Sequence, residues 1–64
     1  MNWTGKEVCR MLEGAGWELK RIKGSHHVFK KPGQPLLITV PVHGNEALKP
    51  GLLNRILKDA GLKG

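Results

Sequence analysis

The sequence predicts an α+β fold of order αβββα, a three-stranded antiparallel sheet with two helices on one face. Three observations predict it. Apolar residues recur at i, i+3, i+4 and i+7 near each end of the chain, the signature of an amphipathic helix. Between these ends lie three extended runs, parted by turn-forming pairs at Gly24-Ser25 and Pro32-Gly33. The length is 64 residues, which suits one small domain over residues 1–64 with a modest core and no deep enclosed cavity.

Thr4-Gly5-Lys6-Glu7 fits a capping box, in which the Thr4 hydroxyl accepts from the Glu7 amide and Glu7 reaches back to the Thr4 amide. Trp3 before the cap and Val8 after it form a hydrophobic staple. Val8, Met11, Leu12 and Ala15 line one helical face, and Gly16 stops the helix, so the first helix runs from about Gly5 to Ala15.

Trp17 to Lys23 has strand alternation, with Trp17 and Leu19 on one side; the pattern breaks at Arg21-Ile22, where a bulge is expected. Gly24-Ser25 makes a two-residue hairpin to a second strand, His26 to Lys31. The third strand is expected from Leu36 to Val42, with Leu36, Ile38, Val40 and Val42 on one face. Pro41 lacks an amide donor and belongs at an edge or strand end.

Pro50 suits a first helical position, and Leu53, Ile56, Leu57 and Ala60 complete a second helix ended by Gly61. The expected core is Val8, Met11, Leu12, Trp17, Leu19, Ile38, Val40, Leu53, Ile56 and Leu57. This order and size match the double-stranded-RNA-binding-domain architecture.

Charge supplies the functional direction. The formal net charge is +6, and five Lys or Arg residues with no Asp or Glu fall between Leu19 and Asn45. Such a face draws phosphate through Coulomb steering and counterion release, which favours nucleic acid over a merely solvated surface. Cys9 is the only cysteine, so no intramolecular disulfide forms, and it reads as a helix residue rather than a nucleophile. There is no signal-peptide h-region and no membrane-length apolar run, so a cytoplasmic location and no membrane partner are expected.

Within the basic stretch, Gly24-Ser25-His26-His27 stands between Lys20-Arg21-Ile22-Lys23 and Lys30-Lys31. Histidine is the side chain whose ordinary pKa lies nearest neutrality. Adjacent strand histidines point to opposite faces, so His26 and His27 cannot converge on one zinc ion. The acids Glu7, Glu13, Glu18, Glu46 and Asp59 are scattered, with no pair placed for Mg²⁺. No cofactor is therefore expected.

Metal-free phosphodiester cleavage needs the 2′-hydroxyl of RNA as nucleophile. A histidine can move either proton, and Lys20, Lys23, Lys30 and Lys31, with the Ser25 hydroxyl and local amides, can hold phosphate oxygens. On residue type alone His26 is either that acid–base group or a surface turn histidine. His27 reads as a half-buried neighbour of Phe29, and His43 as a second histidine near the turn or a loop residue capping the second helix. Trp3 and Trp17 read as core and staple rather than as stacking platforms.

Lys23-Gly24-Ser25-His26-His27-Val28-Phe29, with Val40-Pro41-Val42-His43 and then Leu48-Lys49-Pro50-Gly51, resembles the pattern of the HicA toxin family. Ile56-Leu57-Lys58-Asp59-Ala60-Gly61 and the opening helix that ends in Gly16-Trp17 extend the resemblance over nearly the whole chain. The resemblance implies a metal-independent, ribosome-independent mRNA interferase that arrests translation. It places the family's catalytic histidine at His26; in some members it falls one position later, which keeps His27 a candidate. It also implies a HicB antitoxin that covers the active site, so a toxin monomeric alone and heteromeric with its antitoxin is expected. The competing readings are a non-catalytic RNA-binding module of the same fold, and a subunit whose open sheet face, with Leu37 and Thr39, serves only protein contacts.

Overall fold

In the computed structural model, residues 3–62 are described. The chain forms α1 (Gly5–Gly14), β1 (Glu18–Lys23), β2 (His26–Lys30), β3 (Ile38–Pro41) and α2 (Pro50–Asp59). The strands make one antiparallel sheet of order β1-β2-β3, so the expected αβββα layout is the observed one.

The capping box starts α1 as its sequence specifies. The Glu7 amide donates to Thr4 Oγ1 at 3.2 Å, and Glu7 Oε1 accepts from the Thr4 amide at 2.9 Å. At the other end, Trp17 N donates to Leu12 O at 2.9 Å and Gly16 N to Glu13 O at 3.1 Å, the paired bonds of a Schellman ending. The same pair closes α2, from Leu62 N to Leu57 O and from Gly61 N to Lys58 O. Pro50 occupies the first turn of α2, where its missing amide costs nothing.

Both helices lie on one face of the sheet. Val8 and Leu12 of α1 and Ile56 and Ala60 of α2 meet Trp17, Phe29, Ile38 and Val40 in a single buried cluster. Met11 and Leu53, expected inside, pack half-buried against it, and Leu57 is half-buried. Gly5 lets α1 come this close: a Cβ there would collide with the Pro41 carbonyl oxygen and lie 3.0 Å from Val42 Cα.

Three expectations need correction. Leu19 shares the helix-facing side with its partner Phe29, yet it is 43 % exposed, because β1 is an edge strand and α1 packs inward of it. Leu36 is also exposed, and β3 begins only at Ile38, paired with Phe29; in that register Leu36 would fall opposite Lys31, beyond the end of β2. The bulge falls between Leu19 and Arg21, which leaves Lys20, rather than Arg21 or Ile22, as the extra residue.

Candidate functional site

The hairpin between β1 and β2 fixes the histidines. Gly24 has φ +60° while Ser25 does not, the pattern of a type II′ turn with glycine first. That turn sets the register: Lys23 opposes His26 and Ile22 opposes His27. On the other side His26 opposes Pro41 and His27 opposes Val40. Cross-strand partners share a face, so the two imidazoles separate. His26 is exposed on the face away from the helices, beside Lys23. His27 is half-buried on the helix side, with Phe29.

The ladder continues one step past β3. Val42 N donates to Ser25 O at 2.8 Å, which binds the strand's end to the hairpin turn. Pro41 therefore stands between two histidines. It faces His26 across the ladder, and it shares with His43 a cleft of about 340 Å³ that reaches Glu46, Lys49 and Leu52 at the start of α2. His43 does not cap α2: the cap residue is Lys49, with no side-chain cap bond.

The basic residues do not form one patch. Lys23 lies beside His26, and Arg21, opposite Val28, shares that face. Lys20 is the bulged residue of β1. Lys30 ends β2 and Lys31 follows it, four and five residues from His26, or roughly 13–17 Å at the ordinary strand rise. Lys30 there opposes Glu18, and the stem of Lys31 passes close to Gly16.

A second cleft, of about 360 Å³, opens between α1 and β1. Leu19, His27, Phe29 and Val42 line it from the sheet, and Lys6, Cys9, Arg10 and Glu13 from α1. His27 Nδ1 is closed to solvent there and has no hydrogen-bond partner. Burial, reinforced by Glu13, pushes the Cys9 thiol above its ordinary pKa, which suits a packing residue better than a nucleophile. Lys6 and Arg10 lie outside the basic run between Leu19 and Asn45 that marks the sequence. Their i, i+4 spacing beside the apolar positions of α1 is the signal that finds them.

Among the described residues, no three His, Cys, Asp or Glu side chains gather as metal ligands would. No helix among them is long and apolar enough to cross a membrane.

A model of the family described as "HicA toxin of bacterial toxin-antitoxin" matches residues 5–62. The chain belongs to the HicA toxin family. No curated protein matches it. Membership makes this HicA chain the toxin member of a toxin–antitoxin pair and implies a cognate antitoxin. The matched span takes in both helices, the His26 hairpin and the Pro41–His43 segment.

Proposed function

We propose that this HicA toxin is a metal-independent endoribonuclease that cleaves mRNA in the cytoplasm, with His26 as its acid–base residue. The observation that carries the reading is the placement of His26: exposed, on the open face of the sheet, with Lys23 directly across the strand pair. A phosphate drawn to Lys23 lies within reach of an imidazole that is not committed to the core.

The chemistry follows from those groups. The 2′-hydroxyl of the substrate attacks the adjacent phosphorus and loses its proton, while the leaving 5′-oxygen gains one. His26 serves one of these proton transfers, a role worth about 10²–10⁴-fold. His27 and His43 are the second candidates, and His43 is the better placed because both it and His26 border Pro41. Gly24 and Ser25 shape the turn, and Lys20 and Lys23 hold flanking phosphates near the reacting one. Lys30 and Lys31 act farther along the strand. The partner that restrains the toxin is a HicB-type antitoxin covering this end of the sheet.

The test is incubation of a labelled mRNA with the wild-type chain and with His26→Ala. Cleavage by the first and none by the second supports the reading. RNA bound but never cut by the wild-type chain indicates a binding module instead.

A further inference from the structure

We propose that the cleft between α1 and β1 receives one nucleotide of single-stranded RNA, its base against Leu19 and His27 and its phosphate toward Lys6 and Arg10. The inference rests on the endoribonuclease reading and adds a substrate subsite to it, on the opposite face of the sheet from His26.

Shape comes first. About 360 Å³ is available, within the range of pockets that hold small ligands. The floor is apolar and in part aromatic, made by Leu19, His27 and Phe29. Leu19 remains 43 % exposed although it lies on the helix side of the sheet. Unpaired bases stack on such rings and flat apolar surfaces, histidine included.

Polar groups add direction. His27 Nδ1 is shut from solvent with no acceptor beside it. Any polar contact between this ring and a bound base therefore falls to its other nitrogen, Nε2. Lys6 and Arg10 are exposed, one helical turn apart, and suit a backbone phosphate. Glu13, at the other end, is an acceptor suited to an exocyclic amino group.

Continuity with His26 decides between RNA and an apolar side chain of a protein. Val42 lines the cleft and donates its amide to Ser25, so the cleft opens beside the turn that bears His26. A single strand leaving the cleft around Gly24-Ser25 delivers its next phosphate to the open face. A duplex cannot do so, because its bases are stacked and paired.

The test uses the full chain and a 2′-O-methylated single-stranded oligonucleotide, which binds without being cut. Cys9 is the only cysteine and it lines the cleft, so its alkylation rate reports occupancy. The oligonucleotide is expected to slow Cys9 alkylation several-fold, and a duplex of equal length is not. Leu19→Glu and Arg10→Glu, both at exposed positions, are expected to weaken binding about tenfold or more. Arg55→Glu, the same charge change on α2, is expected to weaken it less.

Unprotected Cys9 overturns the subsite, as does an Arg55→Glu loss equal to that of Arg10→Glu. So does a Leu19→Glu chain that keeps its RNA affinity and loses its antitoxin, which assigns the cleft to a protein. Neither readout needs catalysis. A chain that protects Cys9 but never cuts RNA therefore retains the subsite and loses the nuclease reading.

Discussion

The Val42 amide donates to the Ser25 carbonyl at 2.8 Å, and this bond holds two distant motifs of the chain together. Ser25 belongs to the Gly-Ser-His-His turn, and Val42 to the Val-Pro-Val-His segment that ends the sheet. Through it His26 comes to face Pro41, and His43 follows two residues later. The hydrogen-bond ladder thus assembles one end of the sheet from pieces seventeen residues apart in sequence.

The first prediction separates the three histidines. His26→Ala should lower kcat for cleavage of a labelled single-stranded RNA by about 10²–10⁴-fold. Its melting temperature should stay near wild type, because the side chain is exposed. His43→Ala should reduce the rate and shift the pH–rate profile while leaving substrate affinity nearly intact. Wild-type turnover in His26→Ala would transfer the proton role to His27 or His43.

The second prediction concerns the nucleophile. A substrate with a single 2′-deoxy residue at the scissile position should resist cleavage while its other sites are cut. EDTA should leave the rate unchanged, because the proposed mechanism draws on imidazole and cations alone. Cleavage at the 2′-deoxy position, or activity lost to EDTA and restored by Mg²⁺, would require a different nucleophile.

The third prediction concerns the contact that brings α1 onto the sheet. Gly5→Ala places a methyl group against the Pro41 carbonyl oxygen and Val42. Neither is the free end of a flexible side chain, so α1 or the β3 end must shift. Overpacking of this kind costs about 1–3 kcal/mol, and about 4–8 °C of melting temperature accompanies each kcal/mol in a domain this small. Because Pro41 borders His26, cleavage should fall as well. A thermal melt equal to wild type would show that the contact relaxes without cost.

Much of this architecture was legible from local signals. The capping box, the Gly24-Ser25 turn and Pro50 each act within a few residues, and each appears where its sequence places it. Leu19 and Leu36 depart from expectation for different reasons: period-two alternation assigns Leu19 a face but not what covers it, and Leu36 precedes β3 altogether. Leu19 lies on the correct face of an edge strand, but α1 stands off from it across a cleft rather than covering it, a tertiary fact. The divergence of His26 and His27 followed from strand geometry alone. The cleft that joins Pro41 and His43 to the start of α2, and the cleft joining Lys6 and Arg10 to His27, depend on the fold bringing both helices, β2 and the β3 end together.

The fourth prediction reads the capping box through pH. The bonds from the Thr4 amide and hydroxyl to Glu7 hold its carboxyl below the usual 4.5, with Arg10 adding a smaller pull in the same direction. A folded-state pKa that is lowered means the ionised form favours the fold. Its contribution is therefore present above the unfolded value and lost as pH falls through the folded one. Glu7→Ala lacks this contribution at every pH. The melting-temperature gap between wild type and Glu7→Ala should be widest near neutrality and should narrow as the pH drops below 4.5. Glu7→Gln, which keeps an acceptor for the Thr4 amide but carries no charge, should melt between the two at neutral pH. A gap of equal size at about pH 3.5 and at neutrality would mean that Glu7 acts through packing or helix propensity rather than through its charge.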